Sequence, residues 1–457
     1  MRHFLTLWLL CTTLTATVAQ EEIWYGSLSV AGNPLPLVLT VGTDGQSGTL
    51  QSPAQSPDHV PLTSLLRTDD SLRFSMSSLK ISYAGARREA SYAGTFRQGP
   101  FTAPLTFSRE KPAEATEATA RPQEPVTFPY ARETVRFASA ADSITLAGEL
   151  TLPEDGPPRA LVVLISGSGP QDRNEDLGPG INHRPFLVLS DYLTRRGYGV
   201  LRYDDRGAGE STGDFAAATS ADFARDAAGA VAFLRERGPG SVPVGLLGHS
   251  EGGMIAPLVA AEDSTLDFII LLAGPGVPID SLLLEQRRAV AAQPPTDEPV
   301  AAAAFAYVKG AGDRDSSQFA RGLRDTILAQ LPRLSAATRE TITDPEAYAD
   351  DFAEQLSMPW VRYFLAYEPE QYLRRVTMPV LALNGALDTQ VAPRNLHAIA
   401  RILTEAGNPD VTAEVLPGLN HLLQPATSGR PDEYGQIEVT MDPGALDRIA
   451  GWLDARF

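Results

Sequence analysis

The chain has 457 residues, of which 38 are Lys or Arg and 56 are Asp or Glu, so its formal net charge is −18. Hydrophobic residues make up 43% and charged residues 21%, which excludes wholesale disorder and a collagen-like structure. The negative charge argues against a nucleic-acid partner, and the single cysteine excludes a disulfide framework or a cysteine-based zinc site. The body of the chain contains no run of about 18 apolar residues, so no membrane span is predicted.

Residues 1–19 have the pattern of a secretory signal peptide. Arg2 supplies the positive charge, a short apolar run follows, and Ala19 ends a small-residue cleavage site. The apolar run is too short for the alternative, a transmembrane anchor. Cys11 lacks the small preceding residue of a lipoprotein signal, and cleavage after Ala19 removes it. We therefore expect an exported protein, periplasmic or secreted, whose mature chain has no thiol.

Residues 20–108 are predicted to form a small β-rich domain, because short apolar stretches alternate there with turn residues. These stretches are Leu35–Val41, Leu72–Met76 and Lys80–Tyr83. The segment shows no catalytic constellation, which leaves a role in folding and assembly or a role in binding a substrate or partner. Residues 109–125 are rich in Pro, Ala, Glu and Thr and are predicted to be a linker.

From residue 126 onward, buried strands alternate with helical patterns, and this predicts an α/β fold with a mainly parallel sheet covered on both faces. The predicted strands are Ala160–Ile165, Gly199–Tyr203, Val242–Leu247, Phe268–Leu272, Val380–Leu383 and Ala413–Leu416. The predicted helices are Phe186–Arg196, Ala221–Arg237, Gly252–Glu262, Pro393–Glu405 and Pro443–Phe457. Residues 126–277 and 377–457 together would form the catalytic domain.

Residues 278–376 interrupt this alternation with helical patterns alone, so we expect a helical cap inserted into the catalytic domain. Its predicted helices are Ser281–Ala292, Pro299–Lys309, Gln318–Leu331 and Pro345–Tyr372. An insertion after a parallel strand lies above the carboxyl ends of the strands, where catalytic groups of such sheets are found.

The pattern G-x-S-x-G occurs twice, but only one copy has the surroundings of a nucleophile. Ser250 follows an apolar strand and leads at once into a helix, the strand–turn–helix setting that exposes a serine hydroxyl above the sheet. Ser211 lies in the polar loop DDRGAGESTGDF, where no helix begins, and is predicted to be a turn residue. The sequence therefore predicts Ser250 as the nucleophile.

A nucleophilic serine needs a general base and an acid that orients it, and in this type of sheet the acid precedes the histidine in the chain. His421 lies on a loop after a late strand, whereas His397 lies inside a predicted helix. Asp388 follows the strand VLAL on another such loop, and Asp280, after the preceding strand, is its alternative. The predicted triad is Ser250, Asp388 and His421.

An oxyanion hole needs two backbone N–H groups that point at the developing charge. One is expected from Glu251, the residue after the nucleophile. The other is expected from the glycine-containing loop 166–170 that follows the strand ALVVLI, and Ser168 is the candidate.

Residues 126–457, about three quarters of the chain, resemble the α/β-hydrolase superfamily. More narrowly, they resemble exported bacterial esterases grouped with the serine-aminopeptidase-like hydrolases. The shared segments are ISGSGPQDRNE, RYDDRGAGEST, GHSEGG, LNGALDTQV and GLNH. The resemblance implies Ser250, Asp388 and His421 as the triad and the Ser168 and Glu251 amides as oxyanion donors. Ser166-Gly167 stands where the family commonly has His-Gly.

We expect a serine hydrolase that cleaves small-molecule carboxylic esters through an acyl-enzyme, with no cofactor and no metal. An aminopeptidase or an acyl thioesterase with the same triad is the alternative. An aminopeptidase would need acidic cap residues to bind an ammonium group, for which Glu354, Glu368 and Glu370 are candidates. A binding protein on a hydrolase scaffold is disfavoured by the complete triad. The motifs leave the ester and its acyl length open, and nothing in the sequence predicts an oligomeric state.

Two further groups of side chains have competing interpretations. Trp360 and Tyr363, with Met358 and Phe364, form an aromatic and apolar cluster in the cap, which either packs in the cap core or walls the acyl pocket. We expect it to bind the substrate. Asp205 and Arg206 are expected to form a structural pair.

Overall fold

The computed structural model describes residues 22–30, 33–53, 59–76, 81–98, 101–111, 121–141, 143–178, 181–237, 240–290, 295–312, 315–342 and 344–457. The chain divides into a smaller unit that precedes Glu117 and a larger unit that runs from Glu117 to Phe457. The predicted signal peptide and most of the predicted linker lie outside the described residues.

The smaller unit is a nine-stranded sheet in the order β4-β3-β2-β1-β9-β8-β7-β6-β5. Its strands are β1 (Glu22–Val30), β2 (Asn33–Val41), β3 (Gly48–Gln51), β4 (Val60–Pro61), β5 (Ser64–Arg67), β6 (Ser71–Met76), β7 (Ile81–Arg88), β8 (Ser91–Gln98) and β9 (Phe101–Ser108). Neighbours such as β6 and β7 or β8 and β9 pair antiparallel. This agrees with the β-rich unit that the sequence predicts.

Alternate side chains of these strands form a core of their own. Tyr83 packs between Phe74, at a ring-centroid distance of 5.3 Å, and Phe107, at 5.2 Å. The hydroxyl of Tyr83 donates to the carbonyl of Tyr92 over 2.7 Å, which satisfies this polar atom inside the core. The described residues of this core all belong to the smaller unit.

The larger unit contains an eight-stranded sheet in the order β10-β11-β13-β12-β14-β15-β16-β17. Its strands are β10 (Ala131–Ala138), β11 (Thr145–Leu152), β12 (Leu161–Ile165), β13 (Gly199–Tyr203), β14 (Val244–His249), β15 (Phe268–Leu272), β16 (Val380–Gly385) and β17 (Val411–Leu416). The pairs from β13 to β17 are parallel, while β11 pairs antiparallel with both β10 and β13.

Helices cover both faces of this sheet and fill one long insertion. They are α1 (Pro185–Thr194), α2 (Ser220–Arg237), α3 (Gly252–Glu262), α4 (Ile279–Val290), α5 (Glu298–Gly310), α6 (Ser316–Gln330), α7 (Ala336–Thr341), α8 (Pro345–Ser357), α9 (Pro359–Ala366), α10 (Pro369–Leu373), α11 (Arg394–Glu405) and α12 (Pro443–Asp454). Helices α2, α3 and α11 pack on one face, and α1 and α12 pack on the other.

Strands β12 and β15 are apolar at every position because both of their faces are buried. In β12, Val163 and Ile165 belong to the core beneath α2 and α3, whereas Val162 and Leu164 belong to the core beneath α1 and α12. The six predicted strands are present within a few residues of their expected bounds. Strands β10 and β11 were not among them, since β10 exposes alternate residues and carries no continuous apolar run.

The segment between β15 and β16 is helical, as predicted, and has its own core around Phe319, Leu323 and Ile327. The prediction of one helix over Pro345–Tyr372 is wrong. Pro359 and Pro369 each occupy the first turn of a new helix, because proline lacks the N–H that would continue the preceding one. Among the described residues, no helix has both the length and the apolar character needed to cross a bilayer.

Candidate active site

Ser250 occupies the sharp turn between β14 and α3. Its φ of 53° lies in the left-handed region, which is costly for a residue with a side chain. Its amide donates to the carbonyl of Leu272 on the neighbouring strand over 2.9 Å. A Cβ on Gly248 would lie 2.0 Å from the carbonyl oxygen of Gly252, and a Cβ on Gly252 would lie 2.1 Å from that of Ile165. Both glycines of the motif are therefore required for the turn to pack.

A continuous chain of hydrogen-bonding atoms joins Ser250, His421 and Asp388. His421 Nε2 lies 3.0 Å from Ser250 Oγ, and His421 Nδ1 lies 2.9 Å from Asp388 Oδ2. His421 and Asp388 are both 4% exposed. The second oxygen of Asp388 accepts from the amides of Gln390 and Val391, each over 2.8 Å, so the carboxylate cannot rotate freely. The structure thus brings the three predicted triad residues together.

The rival residues lie elsewhere. Ser211 donates to the carbonyl of Asp204 over 2.7 Å and accepts from the amide of Ala147 over 2.9 Å, as a turn residue does. His397 is exposed on α11. Asp280 lies on α4 with its carboxylate 3.3 Å from Lys309 Nζ.

The loop that follows β12 lines the same cavity as Ser250. The amide of Gly167 donates to Glu175 Oε1 over 2.7 Å and is therefore occupied. Within the described ranges, no acceptor is paired with the amide of Ser168 or of Glu251. These two amides are available as the predicted oxyanion donors.

The cavity in front of Ser250 has a volume of about 400 Å³ and mostly apolar walls. Trp360 and Phe364 of α9 line it as a stacked pair, with ring centroids 4.9 Å apart. Two of the residues expected beside them do not line it. Tyr363 points to a separate pocket between α2, α3 and α10, and Met358 is 51% exposed. Adjacent positions on a helix face different directions, so only part of the predicted cluster can reach one cavity.

Glu251 contributes a buried carboxylate that sequence reasoning missed. It is 3% exposed and accepts hydrogen bonds from Ser168 Oγ over 2.7 Å, from Ser220 Oγ over 2.6 Å and from Trp360 Nε1 over 2.8 Å. Burial raises the pKa of this carboxyl above its ordinary value, and the three donors partly oppose that rise. One side chain therefore links the loop after β12, the start of α2 and helix α9.

His249 and Glu175 form a second buried pair behind the nucleophile. His249 Nδ1 lies 2.8 Å from Glu175 Oε1, and His249 Nε2 lies 3.1 Å from the carbonyl oxygen of His421. Both neighbours are acceptors, so both ring nitrogens must carry a proton to make the two bonds. Burial lowers the pKa of His249, but the Glu175 carboxylate outweighs this and raises it overall. Both residues lie within the segments that the chain shares with the family, and this could have marked them as candidate site residues.

Asp205 and Arg206, which were expected to be structural, bind different parts of the fold. Arg206 binds Asp226 of α2 with Nε and Nη2, each over 2.7 Å. Asp205 instead accepts from Ser166 Oγ over 2.9 Å and from the amide of Gln171 over 3.0 Å. In the part of the chain that the structure describes, no cluster of three or more His, Cys, Asp or Glu residues could hold a metal ion.

The family profile described as serine aminopeptidase, S33, matches residues 183–297. The esterase EstD of Thermotoga maritima is 28% identical over 312 residues, which cover 67% of this chain and 65% of the relative. The match thus spans slightly less than two thirds of that protein.

Solved structures are similar at lower identity. The Pyrococcus furiosus esterase Pf2001 is 15% identical, with a TM-score of 0.42, over 74% of this chain and 97% of that one. A proline iminopeptidase of Mycobacterium smegmatis is 18% identical, with a TM-score of 0.42, over 71% of this chain and 98% of that one. The sheet order, the turn at Ser250 and the matched profile fit an α/β-hydrolase with serine-aminopeptidase-like (S33) features.

Proposed function

We propose that the protein is a serine hydrolase that cleaves carboxylic esters of small molecules. The observation that carries this proposal is the hydrogen-bonded chain from Asp388 through His421 to Ser250, which opens onto a largely apolar cavity. The T. maritima relative is named an esterase, which supports the same reaction class.

In the proposed reaction, Ser250 Oγ attacks the acyl carbonyl while His421 Nε2 takes its proton. The Nδ1–H of His421 donates to Asp388, which fixes the tautomer and stabilises the imidazolium that forms. The amides of Ser168 and Glu251 bind the oxyanion, and each such donor is worth about 3 kcal/mol of transition-state stabilisation. His421 then protonates the leaving alcohol, and a water molecule, activated by the same histidine, releases the acid from the acyl-enzyme.

We further propose that the helical segment between β15 and β16 is a cap that binds the acyl group. Leu282 and Leu283 of α4 and Trp360 and Phe364 of α9 line the cavity. Apolar walls exclude water and favour an uncharged substrate, because a charge transferred there without a partner would be costly.

The aminopeptidase alternative is disfavoured by where its candidate residues lie. Glu368 pairs with Lys309 over 2.7 Å, and Glu370 pairs with Arg374 over 2.6 Å. Neither of them, nor Glu354, lines the cavity. The carboxylates that do line it, Glu175 and Glu251, already bind donors of the protein.

The test is a substrate panel of p-nitrophenyl esters, acyl-CoA thioesters and aminoacyl anilides, assayed with the intact protein and with Ser250→Ala. The proposal predicts the highest kcat/KM for an ester and loss of its turnover in the variant. A higher kcat/KM for the anilides would favour the aminopeptidase, and a higher value for the thioesters would favour the thioesterase.

We also propose that the protein is exported, on the strength of the signal-peptide pattern in residues 1–19. Cell fractionation followed by N-terminal sequencing tests this. Export predicts a periplasmic or secreted chain that begins at Gln20, whereas a cytoplasmic chain that retains its first residues would contradict it.

A further inference from the structure

Three carboxylates bind the loop that carries the candidate oxyanion amide, and each holds a different residue of it. The bonds run from Ser166 Oγ to Asp205 (2.9 Å), from the Gly167 amide to Glu175 (2.7 Å) and from Ser168 Oγ to Glu251 (2.7 Å). Gln171, three residues further along the chain, also binds the loop, because its side chain donates to the carbonyl of Ser168 over 3.2 Å.

The three carboxylates come from separate parts of the fold. Glu175 lies on the loop before α1, Asp205 follows β13, and Glu251 follows the nucleophile at the end of β14. Glu175 and Glu251 are each 3% exposed. A buried carboxylate that loses a donor cannot replace it with water without a cost in free energy. Displacement of the loop would break several of these hydrogen bonds, and each break adds to that cost.

We propose that Glu175, Asp205 and Glu251 are positioning residues that hold the Ser168 amide where it meets the oxyanion of the reaction. This inference rests on the proposed hydrolase function. The glycine-containing loop is flexible by itself, and the hydrogen bonds to the three carboxylates would make it rigid. Donors that are fixed before the reaction stabilise developing charge without a cost of reorganisation during it.

The pattern of bonds also selects which amides remain available. Glu175 occupies the Gly167 amide, whereas Asp205 and Glu251 bind hydroxyl groups of the loop. The amides of Ser168 and Glu251 are left to the substrate. Two of the three contacts thus use serine hydroxyls, one of them from the Ser-Gly pair that stands where the family commonly has His-Gly.

Glu251 extends this arrangement to the inserted helices. The indole N–H of Trp360 donates to the carboxylate that binds Ser168 Oγ, so the loop and α9 share one partner. Trp360→Phe would keep an aromatic ring in the cavity while it removes the N–H donor and makes the side chain smaller.

The experiment uses the full-length protein with Ser166→Ala, Ser168→Ala and the double variant, which keep every backbone amide. It measures kcat, KM and the inhibition constant of a trifluoromethyl ketone, which adds to the serine and places an oxyanion in the hole. We expect kcat to fall about tenfold in each single variant and the inhibition constant to rise by a similar factor. These changes are smaller than the roughly 10²–10³-fold loss of kcat on deletion of a whole oxyanion donor, because the amide is displaced and not removed. KM should change much less. Trp360→Phe should show a smaller change in the same direction.

Ser190→Ala is the matched control, because Ser190 is a buried serine of the same unit whose hydroxyl meets Thr151 instead of the loop. Its kcat and inhibition constant should stay unchanged even if the melting temperature falls. Unchanged kcat and inhibition constants in Ser166→Ala and Ser168→Ala, in enzyme that hydrolyses esters, would overturn the positioning role alone. If a serine variant does not fold, Trp360→Phe decides by the same two constants. An intact protein that neither hydrolyses esters nor binds the ketone would overturn the hydrolase and this inference together.

Discussion

Two histidines flank the candidate nucleophile, and their hydrogen-bond partners give them different protonation states. His421 lies between a carboxylate at Nδ1 and the Ser250 hydroxyl at Nε2, so one proton, on Nδ1, satisfies it. His249 lies between a carboxylate and a carbonyl oxygen, so two protons satisfy it. In the proposed mechanism, the neutral His421 is the base, and the charged His249 donates to its backbone carbonyl.

Asp388→Asn should lower kcat by about 10⁴-fold, because an amide at this position favours the wrong tautomer of His421. Initial rates on a p-nitrophenyl ester measure this effect. Asp280→Asn is the control, since Asp280 lies beside Lys309 on α4 and should keep nearly full activity. A large loss in the Asp280 variant with little loss in the Asp388 variant would reverse the assignment.

The raised pKa of His249 predicts a pH dependence of stability. The folded state keeps its proton above pH 6.5, the ordinary pKa of the side chain, whereas the unfolded chain loses it there. The contribution to the free energy of unfolding is therefore complete below pH 6.5 and is lost as the pH rises through the folded pKa. Glu175 and Asp388 are the charged groups that favour the protonated form.

Urea unfolding of the intact protein and of His249→Gln, from pH 6 to pH 9, tests this contribution. The free energy of unfolding should fall with pH more steeply in the intact protein than in the variant. Parallel curves for the two proteins would show that His249 binds its proton no more tightly in the folded state.

At the scale of elements, the sequence predicted the strands that are buried on both faces and the turn at Ser250. A continuous apolar run or a strand–turn–helix motif is a local pattern. Strand β10 was missed because one of its faces is exposed, and the break at Pro359 was missed because helical spacing continues across it. The contacts of Glu175 and Asp205 with the loop after β12 were also missed, since a local sequence pattern does not show which residues pair across the fold.

The next prediction concerns Trp360, which lines the cavity from helix α9. Trp360→Ala should shift the preferred acyl chain to greater length, because the wall of the cavity is removed and one methylene of fit is worth about 1–3 kcal/mol of discrimination. Values of kcat/KM across p-nitrophenyl esters of increasing chain length measure the shift, with circular dichroism as the folding control. Tyr363→Ala is the matched variant, since Tyr363 lines a different pocket and its chain-length profile should not change. An unshifted profile in folded Trp360→Ala would assign Trp360 to the core of the cap.

At the scale of the whole molecule, each unit has a separate apolar core. Among the described residues, the core of the smaller unit is formed by residues 24–107, and the cores of the larger unit are formed by residues from 135 onward. Arg121 anchors the start of the larger unit by donating to backbone carbonyls of Asn182 and Ile181 over 2.6 and 2.7 Å.

A chain that begins at Glu117 should therefore fold and keep most of its activity on a short p-nitrophenyl ester, since domains with their own cores generally fold alone. Thermal unfolding and ester hydrolysis of this truncated protein measure both properties. An insoluble or inactive product, with the full-length protein active under the same conditions, would show that the β-rich unit is needed for the fold or the site.

The most direct test of the account is covalent labelling with a fluorophosphonate, followed by mass-spectrometric identification of the modified residue. The reagent reacts with an activated serine, and the account predicts a single adduct on Ser250 that is absent from Ser250→Ala and retained in Ser211→Ala. An adduct on another residue, or undiminished labelling of Ser250→Ala, would contradict it.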